Sequence, residues 1–155
     1  MTSASSPTDL RIATVCTLVL YLKMIVALGV QGTVKFKSGA RAPEDLAHAQ
    51  AKSEEPVAAT DPEELRKAKE REHRWNRIVG NDMENIPLGI ILAWVSIMAG
   101  GNTSATSVLF ILFTVCRVVH TVAFANGVFL PRTLAWQIGV LSTLCLAVTA
   151  VIGAF

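Results

Sequence analysis

Apolar residues along the 155-residue chain gather into four runs separated by polar connections. The runs are Ile12–Val34, interrupted mainly by Lys23; Ile86–Ala99; Val108–Ala125, which contains Arg117 and His120; and Leu134–Phe155, which has no charge. A helix needs about 20 residues to cross about 30 Å of hydrocarbon. The first and fourth runs reach that length, and the third is adequate. The second is short, about 14 residues or roughly 21 Å of helix. To span, its helix must extend back through Arg77–Asn85, which sets Arg77, Asn81, Asp82 and Glu84 at or below the headgroup level. Ionisable groups there are costly unless they face protein or a wet cavity. The pattern therefore predicts a polar pocket at the inner end of this helix. The alternative is a helix that begins at Pro87, a favoured first-turn residue, with the charged stretch as a surface loop. The expected architecture is an all-α, four-helix membrane bundle in one domain, with spans at 12–34, 76–99, 107–125 and 132–154.

The connection 35–75 is hydrophilic, its acidic residues nearly balancing its Lys and Arg. Asp61–Arg74 reads as an exposed charged helix opened by Asp-Pro-Glu-Glu. The middle of the connection, rich in Ala, Pro and Glu, reads as a flexible link. Two spans separate this connection from Asn126–Arg132, so both lie on one side, and that side holds nearly all the flanking positive charge. The positive-inside rule puts it in the cytosol and both termini outside or in a lumen. The start, Met1–Arg11, lacks a charged n-region and a small-residue cleavage site, so the first run is expected to be a retained span.

Composition agrees with a membrane protein: 52% of residues are hydrophobic and 17% charged, less charge than a soluble domain usually carries. Net charge is +2 and no basic stripe alternates with aromatics, so the sequence gives no support for nucleic-acid binding. Cys16, Cys116 and Cys145 each lie in an apolar run and none forms a CxxC pair. They read as small buried hydrophobes rather than as disulfide partners or metal ligands.

Candidate chemistry follows from helical spacing. Arg74, Arg77, Asn81 and Glu84 advance by three, four and three residues, so they share one face. Arg117, His120 and Phe124 form a second polar face, and Arg132, Trp136 and Gly139 a third. By the topology above, all three can meet at the cytosolic end of the bundle. Arginines bind carboxylates as a fork, Glu84 suits an ammonium, and Asn81 and His120 suit peptide groups. A small zwitterionic peptide with two carboxylates and an amine, such as glutathione, fits that inventory. An arginine near its sulfur would favour the thiolate. The plainer reading is that these side chains pair with one another. Lys23, mid-span, is expected to pair with Asp82 or Glu84, and Trp94 and Trp136 suit interface anchors.

The run Arg77-Ile-Val-Gly-Asn-Asp-Met-Glu-Asn85 resembles the Arg-x-x-x-Asn-Asp-x-Glu-Asn signature of the membrane-associated proteins in eicosanoid and glutathione metabolism, the MAPEG family. Arg117-Val-Val-His-Thr-Val-Ala-Phe124 is similar to that family's Arg-x-x-His-Thr-x-Ala-Tyr, and Arg132-Thr-Leu-Ala-Trp-Gln-Ile-Gly139 to the start of its fourth helix. Lys23-Met24, Lys35-Phe-Lys37 and Ala42-Pro-Glu-Asp45 also match. The resemblance implies a homotrimer in the endoplasmic reticulum, with glutathione held in a U shape between subunits and a lipophilic second substrate arriving from membrane lipid. Carried over, Arg77, Asn81, Glu84 and His120 would bind glutathione, Lys35 would reach it from a neighbouring subunit, and Arg132 would stabilise the thiolate. Arg74 and Arg117 transfer less directly, and Arg117 can instead support Glu84. The branch resembled is microsomal glutathione transferase with microsomal prostaglandin E synthase. Phe124 stands where relatives have Tyr, losing a hydroxyl, and Trp136 where the synthase has Tyr. Gly80, where the synthase has Arg, favours a transferase or lipid-hydroperoxide peroxidase. Endoperoxide isomerisation and a non-catalytic lipid-binding role are the alternatives.

Overall fold

The structure is a computed structural model that describes residues 7–155. The chain's polar start before residue 7, part of the segment read for a signal, lies outside the described residues. Five helices form, and no strand is present among the described residues: α1 (Pro7–Ser38), α2 (Pro43–Gln50), α3 (Pro62–Met98), α4 (Thr103–Ala125) and α5 (Phe129–Ala154). Local chemistry sets their ends. Asp61 Oδ2 accepts from the backbone N–H groups of Glu63 and Glu64, both at 3.0 Å, and so satisfies two of the free donors at the start of α3. Asn102 Oδ1 does the same for α4, accepting from Ala105 N at 2.9 Å. The turns on either side of α4 pass through Gly100 and Gly127 at φ 77° and 72°, a backbone region that side-chain-bearing residues rarely adopt.

Three helices are long and apolar enough to cross a membrane: Asp9–Ser38 within α1, and the whole of α4 and α5. In the most apolar window of α1 and of α5, 22% of residues are buried, and in that of α4, 39%. The rest of that apolar surface faces outward, including Leu18, Val26, Val115, Leu141 and Val151. Water would oppose such exposure, whereas a bilayer accepts it. The stretch expected as a further span, 76–99, lies within α3, which falls short of the same mark because Arg77, Asp82 and Glu84 dilute its apolar half.

α3 differs from expectation in its continuity. The charged helix read at 61–74 and the span read at 76–99 are one helix, with Pro87 in its interior rather than at a start. Nothing between Arg74 and Arg77 breaks a helix, and apolar packing around Ile86 and Ala93, both fully buried, holds the chain helical past the proline. α2 occupies part of the stretch read as flexible. Pro43 opens it, Glu44 and Asp45 complement its N-terminal dipole, and Leu46–Gln50 are mostly good helix formers.

The chain divides into two compact units. One takes the chain up to Lys23 together with Asn81–Phe155. Its core includes Leu20, Ile86, Phe110, Phe113 and Leu146. Polar ties cross between its helices: Trp94 Nε1 donates to Thr17 Oγ1 at 3.1 Å, Ser107 Oγ to Asp9 Oδ1 at 2.9 Å, and Ser96 Oγ bonds Thr106 at 2.8 Å and Thr149 at 2.9 Å. The other unit is Met24–Gly80. There Gln31 Nε2 donates to Asn76 Oδ1 at 2.8 Å, and Arg41 stacks over Phe36 at 4.6 Å. On its exposed face, Arg66, with Lys67 adding to it, holds the Glu63 carboxyl below its ordinary range.

Candidate functional site

Asp82 is the centre of the first polar cluster. α3 carries it inward, where its side chain is 2% exposed. Lys23, from α1, pairs with Oδ2, and Arg117, from α4, pairs with Oδ1. Thr121 Oγ1 lies 3.5 Å from Oδ2. The same Arg117 Nη2 donates to Asn81 Oδ1 at 2.8 Å. One carboxylate thus ties three helices together, and the cluster holds two cations against one anion. A buried ion is tolerated only when it is paired and hydrogen-bonded, so this arrangement fixes Asn81 as well as the helices. Lys23 takes the first of the two partners expected for it. Arg117 is supported by Asp82 and not by Glu84: the two acids sit two residues apart, about 200° around a helix, and Glu84 is exposed and makes no ion pair among the described residues.

The second cluster joins α4 to α5. His120, one turn after Arg117, is buried, and its ring meets Phe124 edge-on with centroids 5.7 Å apart. The guanidinium of Arg132 lies over Phe124 at 4.6 Å and over Phe129 at 5.4 Å. Arg132 makes no ion pair among the described residues; aromatic faces, which attract a cation through their quadrupole, hold it instead. Phe124, read from sequence as a lost hydroxyl, therefore seats both His120 and Arg132.

Of the residues picked out by spacing, the structure brings Asn81 and Arg117 into the first cluster and His120, Phe124 and Arg132 into the second. Trp136 is exposed on α5. Lys35 is half-buried in the last turn of α1, and Arg74 and Arg77 are exposed on α3; these three belong to the unit Met24–Gly80. The role of Asp82 as hub was only half visible. A mid-span Lys23 demanded a counter-ion, but spacing alone left Asp82 and Glu84 equal. Ser96, Thr106 and Thr149 gave no signal, because small hydroxyl residues occur throughout apolar runs and return their protons to the backbone.

Two buried atoms bear on a ligand. His120 Nδ1 and Arg117 Nε have no hydrogen-bond partner among the described residues, although buried polar atoms ordinarily have one. Together with the excess positive charge and the uncompensated Arg132, they fit a polar, anionic molecule such as glutathione.

All-helical structure, lipid-ready apolar faces and an ionic cluster sealed among the helices define an integral membrane protein with a polar interior. The model of the MAPEG family matches residues 13–152, nearly the whole chain, and the protein belongs to that family. A search of curated proteins returned no match.

Proposed function

We propose that the protein is a glutathione-dependent membrane transferase with peroxidase capacity, working in the endoplasmic reticulum as a homotrimer of four-span subunits. The observation that carries this reading is Arg132. A guanidinium held on two aromatic rings, with no ion pair among the described residues, leaves its charge open to a ligand. A positive charge beside a thiol stabilises the thiolate, which is the nucleophile. Membership of the MAPEG family supports glutathione as the thiol's source.

Arg77 takes a carboxylate of the tripeptide, Glu84 its ammonium, and Asn81 its peptide groups. His120 offers the partnerless Nδ1 to the same backbone, and Lys35 reaches in from the adjacent subunit. Arg117 acts one step back, holding Asn81 in place. Bound glutathione supplies a thiol whose proton leaves to water. Its sulfur bonds either an electrophilic carbon, whose leaving group departs with the bonding pair, or the terminal oxygen of a hydroperoxide. In the second case the O–O bond breaks to release an alkoxide that takes a proton from water, and a second glutathione thiol then displaces water from the resulting sulfenic acid to give the disulfide. The exposed apolar faces of the spans let a lipophilic second substrate arrive from the bilayer.

The test is turnover with glutathione across an aryl halide, a lipid hydroperoxide and a prostaglandin endoperoxide. Thioether formation or net glutathione oxidation is expected, with Arg132→Ala lowering kcat by about 10²–10³, the loss typical of removing one group that stabilises a developing anion. Isomerised endoperoxide with no net glutathione loss would identify a synthase instead. Absence of both turnover and calorimetric glutathione binding in detergent would overturn the reading.

A further inference from the structure

Within the unit Met24–Gly80, an open groove of about 500 Å³ runs between the last turns of α1 and the first turns of α3. Its floor is apolar, formed by Val30 and Val34 of α1 with Ala68 of α3 opposite. Its rim is basic: Lys37, Lys67 and Arg71 stand there against a single lining carboxylate, Glu64. Lys67 shares Glu63 at 3.3 Å, whereas Lys37 and Arg71 make no ion pair among the described residues. A backbone bond from Ala59 N to Lys37 O, 2.9 Å, draws the connecting segment across the polar end.

The other end leads into the membrane. Val26, Val30, Thr33 and Lys37 succeed one another at four, three and four residues, one face of α1. Val26 is 65% exposed and lies within the span Asp9–Ser38. An apolar track from the bilayer therefore ends at a cluster of cations where the span ends. A free anion would use the cations and leave the track empty. A neutral lipid would use the track and leave the cations without a counter-charge. A phospholipid with net negative charge uses both.

We propose that this groove binds an anionic phospholipid, with its phosphate held by Lys37 and Arg71 and one acyl chain laid along Val30 and Val26. Basic pockets beside membrane helices hold anionic headgroups in this way. The positive-inside orientation read from the sequence turns the groove toward the cytosolic leaflet, where such lipids are concentrated. The proposal does not depend on the glutathione reading, since none of these residues belongs to the glutathione set.

The experiment reconstitutes the full chain in nanodiscs of equal phosphatidylserine and phosphatidylcholine, then extracts it into mild detergent and counts retained lipids by native mass spectrometry. Selective retention of phosphatidylserine is expected. In Lys37→Ala/Arg71→Ala, the preference should fall by roughly 30-fold, about fivefold for each cation near a charged surface. Thr33→Trp, which fills the groove without changing charge, should abolish it as well. Equal retention of the two lipids by the unaltered protein overturns the proposal, whatever the variants do. Selectivity that survives Thr33→Trp would mean diffuse surface attraction rather than a groove. Displacement of the lipid by millimolar inorganic phosphate would mean a site for free anions.

Discussion

Asp82 accepts from cations on two different helices, so neutralising it strands both. Asp82→Asn keeps the side chain's shape but leaves Lys23 and Arg117 buried without a counter-charge, a loss of about 3–5 kcal/mol. Thermal unfolding in detergent should show a large fall in midpoint, with or without glutathione. Glu84→Gln offers the contrast. Glu84 is exposed and makes no ion pair among the described residues, so the variant's midpoint should match the parent while glutathione affinity falls. Equal stability in Asp82→Asn would mean that the cluster is solvated and ties nothing. Phe124 makes a different case. Its ring seats Arg132, an interaction worth about 0.5–2 kcal/mol, or roughly 2- to 30-fold in rate if the seat positions the guanidinium. Phe124→Leu should lower kcat within that range, and Phe124→Tyr should keep it. Sequence could name Phe124 as a departure from its relatives but not as a platform, because the guanidinium it seats, Arg132, comes from another helix.

Elements were legible where one physical rule dominates. Long, dominant apolarity marked α1, α4 and α5, and their residues turn apolar surface outward as a bilayer demands. α3 was harder, since three rules compete along it. Charge favours a solvated helix, apolarity favours a span, and Pro87 favours an end; the structure answers with one helix. Tertiary contact decides there, as at Gly89, where a Cβ would lie 2.3 Å from the ring of Phe113. That closeness lets α3 and α4 approach, and no periodicity announces it. Gly89→Ala should therefore overpack the contact and cost about 1–3 kcal/mol, although alanine is the better helix former. Adding Phe113→Leu should recover part of the loss, and a double-mutant cycle on unfolding midpoints measures the coupling. Additive effects would mean that the two residues do not meet.

At the scale of the whole molecule, the proposed site draws on more than one copy. Trp136, Glu84 and Arg77 each lie on exposed surface. Exposed charge at the edge of a span is costly in lipid, and in the proposed trimer a neighbouring subunit would relieve that cost while supplying Lys35. This makes a quantitative prediction for mixed assemblies. Lys35→Ala and Arg132→Ala should each be nearly inactive alone, because every site lacks one group. When the two are co-expressed in equal amounts, a site between subunits is intact whenever Lys35 comes from an Arg132→Ala chain and Arg132 from a Lys35→Ala chain. Random assembly of a closed ring makes that true of about a quarter of sites, so turnover should return to roughly a quarter of the parent's. A site built within one chain gives no such recovery, since every chain then carries one of the two defects. Mixing the separately purified variants in detergent, where subunits exchange slowly, should show no recovery at first and a rise toward the same quarter as they exchange.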